Sequence, residues 1–155
     1  MKTFEEKAQQ YLNNGKLKEE NIELVHIEEL LREAVIDLDE AQKTQEIAHR
    51  ATFLLSYMGM LRAGRALLLL KGYKPADSSQ HKTIVEMTSL IMGKSYKAIT
   101  DHFDNMRQKQ DELVYEHRSF LSELDAHDAF HYALLLLREV VKFIKREDPN
   151  FHVAV

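Results

Sequence analysis

The sequence predicts an all-α protein, an antiparallel up-and-down bundle of four to five helices. Three observations predict it. Residues 48–71 are apolar nearly all round through Leu70, and a helix of that kind is buried because no face is left for water. Three further stretches carry apolar residues at spacings of three and four, the period of a helix with one dry face. No segment alternates with period two over more than a few residues, so no strand is expected. The chain also holds only two prolines and five glycines.

Taken in order, residues 2–14 can form a short helix with Phe4, Ala8, Tyr11 and Leu12 on one face, and NNGKLKEEN breaks it. Residues 1–21 therefore read as an N-terminal helical extension of a bundle spanning 22–147. Residues 22–45 place Leu24, Ile27, Leu31, Ala34, Leu38 and Ala41 on one stripe, with Glu28, Glu29, Arg32, Asp39 and Lys43 opposite. The central helix follows at 48–71. Its Gly59 and Gly64 cost about 1 kcal/mol each relative to alanine, which close packing against another backbone would justify. Gly72 supplies a C-terminal cap and Pro75 stops continuation.

KGYKPADSSQ is a loop, and Ser78 or Ser79 can cap the next helix at 80–92, which buries Ile84, Met87 and Ile91. Residues 95–117 put Tyr96, Ile99, Phe103, Met106, Gln110, Leu113 and His117 on one face, so a polar Gln110 enters the core-facing register. Ser122 or Asp125 can cap the last helix, 126–145, whose stripe is Phe130, Ala133, Leu134, Leu137, Val141 and Ile144. Lys142, Lys145 and Arg146 complement its dipole. The tail, 148–155, reads as loose.

The length fits one domain with a real core. There is no cysteine, which excludes disulfides, cysteine–zinc sites and a cysteine nucleophile. A net charge of −4 argues against broad electrostatic binding of nucleic acid, though not against a local basic pocket. MKTFEEKAQQ has no apolar h-region and carries early acids, so a cytoplasmic protein is expected. Arg62 and Arg65 interrupt the central apolar run, so no membrane span is expected there.

Met92-Gly93-Lys94-Ser95 contains GKS but lacks the earlier glycine and the preceding strand of a phosphate loop. His127 and His131 are four apart, a spacing that can serve one metal, with Asp125 and Asp128 nearby. No third ligand is defined, and no metal or cofactor is expected. Arg62 and Arg65 fall about 60° apart on a helical wheel. They can pair with Glu29, Glu33, Asp37 or Glu40 of the preceding helix, or form a nucleotide-binding pair.

Tyr57, Arg65-Ala66-Leu67-Leu68, Lys71-Gly72-Tyr73-Lys74-Pro75, and Asp111-Glu112-Leu113-Val114-Tyr115-Glu116 stand in an order that is recognisable. With Ser79 and His81 in the loop and first turn between them, residues 22–146 resemble the HEPN domain (higher eukaryotes and prokaryotes nucleotide-binding). The resemblance implies a helical bundle, commonly a homodimer. Many members are ribonucleases, often toxins paired with a nucleotidyltransferase-type antitoxin, and others bind nucleotide or a partner without catalysis. Active members carry an arginine, usually a polar residue next, and a His or Tyr four to six residues on, near the end of the penultimate helix.

In that place stands Gln110-Asp111-Glu112-Leu113-Val114-Tyr115. Asp111 and Tyr115 fit, but Gln110 takes the arginine position. The nearest upstream arginine is Arg107, one turn earlier, with nine residues between it and His117. The candidate catalytic set carried over is therefore Arg107, Asp111, Tyr115 and His117, with Arg62 and Arg65 as candidate nucleotide-binding residues. His81 is expected to pack or hydrogen-bond. Because Gln110 carries no charge, the expected function is a non-catalytic module. It would bind nucleotide, RNA or a partner protein of the nucleotidyltransferase type, as a homodimer. One alternative is an active metal-independent ribonuclease toxin. In it Arg107 would stabilise phosphate charge while His117 or Tyr115 moves the 2′-hydroxyl proton. The other is a plain helical dimerisation module.

Overall fold

The computed structural model describes residues 2–117 and 119–155. Six α-helices form an all-α bundle: α1 (Phe4–Asn13), α2 (Leu24–Thr44), α3 (His49–Leu70), α4 (Gln80–Met92), α5 (Lys97–Tyr115) and α6 (Glu123–Glu147). A single 3₁₀ turn, Lys94–Tyr96, leads into α5. The central helix is α3, which packs against α2, α4, α5 and α6. It is long and apolar enough to cross a membrane by length and composition, yet 56% of that stretch is buried inside the bundle. Its neighbours use the apolar surface: Met60, Ala63, Ala66, Leu67 and Leu68 are all inaccessible to water.

The two glycines of α3 mark close approaches. A Cβ on Gly59 would lie 2.9 Å from Leu38 Cδ2, and one on Gly64 would lie 2.6 Å from both Ile84 Cγ2 and Thr88 Oγ1. Side chains of α2 and α4 make the nearest contacts, and at Gly59 the backbone carbonyl of Ala34 also comes within 3.5 Å of that Cβ position.

Two expectations about the chain ends are corrected. A short antiparallel ladder is present: β1 (Leu17–Glu19) pairs with β2 (Tyr73–Pro75), Leu17 opposite Pro75 and Glu19 opposite Tyr73. Three residues are too few to show alternation, so the strands were invisible as a pattern. The ladder ties the N-terminal helix to the bundle, where Ala8, Tyr11 and Leu17 join the main core. The tail is fastened rather than loose. Phe151 is 1% exposed, His152 N–H donates to Glu28 Oε2 at 2.6 Å, and Arg32 Nη2 donates to the His152 carbonyl at 3.1 Å.

The helix starts follow their caps. Ser122 accepts from Asp125 N–H while the Asp125 carboxylate accepts from Ser122 N–H, a reciprocal box that starts α6 three residues earlier than the apolar stripe indicates. Thr3 and Glu6 do the same for α1. At α4, Ser79 is the N-cap residue but its hydroxyl makes no capping bond. Asp77 Oδ1 instead accepts from Ser79 N–H at 3.0 Å, turning the chain into the helix.

Candidate functional site

The site lies where the start of α4 meets the C-terminal half of α5. A cleft of about 540 Å³ is lined by Asp77, Ser78 and Ser79 from the loop, Gln80, His81 and Lys82 from the first turn of α4, and Arg107, Gln110, Asp111 and Tyr115 from α5. A second hollow of about 460 Å³ adjoins it on the α3 side and includes Tyr57, Met58, Arg62 and Arg65. His81 and Gln110 line both, so they form the sill between the two.

His81 is held by α3. Its Nδ1 is 3.1 Å from the Tyr57 hydroxyl, and the two rings meet edge to face with centroids 5.6 Å apart. Withdrawal from water holds the His81 imidazole below its ordinary pKa; Asp111 opposes the shift, and Arg65 and Arg107 reinforce it. Tyr57 is buried, and burial pushes its phenol well up, with Asp111 adding to the shift and Arg107 opposing it. The same two charged groups of α5 therefore act on both rings.

The arginines differ in how they are engaged. Arg107 Nε donates to Asp104 Oδ1 at 2.9 Å, and its Nη1 is 3.8 Å from Asp111 Oδ2. Only 18% of its side chain is exposed, which fixes the guanidinium at the cleft wall. Arg65 Nη2 donates to Gln80 Oε1 at 3.2 Å, a neutral partner that leaves the charge uncompensated. Arg62 lies one turn away but faces α2, 3.4 Å from Glu33 and 3.3 Å from Asp37. Asp37 is 6% exposed, and burial raises its carboxyl above the usual range, with Arg62 opposing and Glu33 and Glu40 adding to the rise. The pairing with Glu33 and Asp37 is the ion-pair reading of Arg62.

Of the α5 candidates, Arg107, Asp111 and Tyr115 line the cleft together with Gln110. Tyr115 is 80% exposed at its mouth. His117 lies past the end of α5, exposed, and is not among the lining residues. Arg65 reaches the neighbourhood of Gln110 within one chain, through the shared hollow. Gln80 and Asp104 are the residues that sequence reasoning missed. Asp104 stands one turn before Arg107 and was readable as an i, i+3 partner; Gln80 had no sequence signal.

Chemically, the cleft offers the Arg107 guanidinium, Lys82, the His81 imidazole and the amide of Gln110 beside two carboxylates, Asp77 and Asp111, and Arg65 stands in the adjoining hollow. That set suits an anionic ligand with several acceptor oxygens. No family model matches the sequence, and neither a curated protein nor a solved structure matches it.

Proposed function

We propose that the protein is a HEPN-like module that binds a nucleotide or an RNA end in this cleft through its phosphate, without cleaving it. One observation carries the reading: Arg65 and Arg107, from two different helices, flank His81 at the sill where Gln110 replaces the expected arginine. Guanidinium groups recognise phosphate oxygens in pairs, and here they come with an imidazole between them. The absence of turnover follows from the same residues. Gln110 has no charge to place on a developing phosphorane, and Arg107 is already shared with Asp104 and Asp111.

In the proposed complex His81 takes the tautomer that suits binding over proton abstraction. In this reading the Tyr57 O–H donates to His81 Nδ1, 3.1 Å away. The neutral imidazole then carries its proton on Nε2. A ring protonated there is a hydrogen-bond donor to phosphate, not a base. Homodimerisation and a nucleotidyltransferase-type partner belong to the same proposal, as does a cytoplasmic location. Exposed Val114, Tyr115, Phe120 and Leu124, in and around the α5–α6 connection, offer apolar surface for a contact.

An active ribonuclease is the second reading, favoured by Arg107 and Tyr115 lining one cleft. The two are separated by incubating the protein with transfer RNA and messenger RNA in EDTA and measuring retention and integrity side by side. Retained, intact RNA supports binding. Cleavage that Arg107→Ala and Tyr115→Phe abolish establishes the ribonuclease. RNA and nucleotides neither retained nor cut by a folded protein contradicts both.

A further inference from the structure

We propose a divalent transition-metal site, of the zinc or cobalt class, formed by Glu46, Glu123 and His127 at the corner where the α2–α3 turn meets the start of α6. One ligand atom from each lies within 4.8 Å of the other two. The sequence suggested His127 with His131 instead. His131 turns away and meets Tyr132 edge-on, centroids 5.4 Å apart. The partner four residues from His127 is Glu123, on its other side, and the third ligand comes from a turn some 80 residues earlier in the chain.

His127 Nε2 stands 3.7 Å from Glu46 Oε1 and 3.7 Å from Glu123 Oε1. Ligand atoms around zinc stand at set separations. With bonds of roughly 2.0–2.2 Å, the edge of the tetrahedron is roughly 3.3–3.6 Å. Two of the three separations are near that spacing, and both carboxylates converge on a single imidazole nitrogen.

The ligand chemistry selects the metal class. One imidazole with two carboxylates suits zinc or cobalt, while magnesium and calcium prefer an all-oxygen shell. Three protein ligands leave a position for water. Glu123 is free for the role because the α6 cap is made by Ser122 and Asp125. A bound ion would clamp the α2–α3 turn to the first two turns of α6. The corner is independent of the phosphate cleft, so either can fail without the other.

The test uses the full chain without an affinity tag, stripped with chelator and titrated with Co²⁺ under visible spectroscopy, then with Zn²⁺ in thermal unfolding. The expected result is one Co²⁺ per chain with the visible bands of a four- or five-coordinate site, displaced by Zn²⁺, and a rise in Tm with Zn²⁺. Glu46→Gln and His127→Ala should each weaken binding roughly tenfold or more, while His131→Ala leaves it unchanged. All three replaced groups are at the surface, and unchanged circular dichroism verifies that each variant folds. A wild-type chain that takes up neither ion overturns the proposal. So does binding that survives Glu46→Gln and His127→Ala together, or that falls only in His131→Ala.

Discussion

The hydroxyl of Tyr57 lies 3.1 Å from Nδ1 of His81 across the contact between α3 and α4. That bond fixes which nitrogen of the imidazole faces the ligand, and it links the most buried helix to the cleft. Removing it by Tyr57→Phe should cost about 0.5–1.5 kcal/mol of stability, the net value of one such bond, read from urea unfolding. A stability unchanged within error would mean that the bond does not hold in solution.

Acidification should tighten RNA binding. The native pKa of His81 lies below its ordinary value, so the ring is uncharged at neutral pH. It gains a charge between Arg65 and Arg107 as pH falls from about 6.5 through the lowered value. Affinity for a short RNA without terminal phosphate should rise over that window, and His81→Gln should flatten the rise. The stability sign is opposite. A depressed histidine pKa contributes stability that is present above the unfolded value and lost as pH falls through the folded one. The free protein should therefore lose stability as His81 takes up its proton.

Asp111→Asn should strengthen RNA binding several-fold. Asp111 is 3.8 Å from Arg107 and competes with a phosphate for that guanidinium. Titration of the variant beside the wild type reads the difference, and weaker binding would mean that Asp111 positions Arg107 more than it neutralises it.

Arg62 serves the core rather than the ligand. Its partner Asp37 is nearly buried, and the Oδ2 atom makes no hydrogen bond, so Arg62 at 3.3 Å is its compensation. Arg62→Met should destabilise by about 1–3 kcal/mol at neutral pH, the cost of stranding a buried charge. Because the Asp37 pKa is raised, the carboxyl contributes stability when protonated, below its unfolded value, and loses that contribution as pH rises through the folded pKa. The deficit of the variant should accordingly shrink as pH falls toward 4. RNA affinity should stay unchanged.

Gly64→Ala and Gly59→Ala should differ. The Cβ at 64 meets Ile84 and Thr88, both branched at Cβ and stiff. Overpacking of about 1–3 kcal/mol there exceeds the helical gain of about 1 kcal/mol. At 59 the obstacle is the far end of Leu38, which can turn aside. Thermal unfolding should show a lower Tm for Gly64→Ala and little change for Gly59→Ala.

What could be read from the sequence follows the range of the interactions. The stripe of α2, the all-round apolar run of α3 and the span of α4 were legible because such patterns are local. The β1–β2 ladder joins segments more than fifty residues apart with three residues each, and periodicity cannot register it. Phe151 follows Pro149 with no repeat around it, so nothing local marked it as core. Within the site, Arg107, Gln110, Asp111 and Tyr115 share one helix and were visible together. The meeting of Arg65, His81 and Gln110 depends on how three helices pack. The wheel that set Arg62 beside Arg65 could not show that one pairs with Glu33 and Asp37 of α2 and the other with Gln80 of α4.

The most direct measurement is the affinity of a short oligoribonucleotide for wild-type protein, Arg65→Gln, Arg107→Gln and the double variant, by titration at two salt concentrations. The account predicts saturable binding that each single variant weakens about tenfold, with the salt slope falling by about one for each phosphate contact removed. A folded wild type that binds no RNA, or a double variant that binds as well as the wild type, would contradict it.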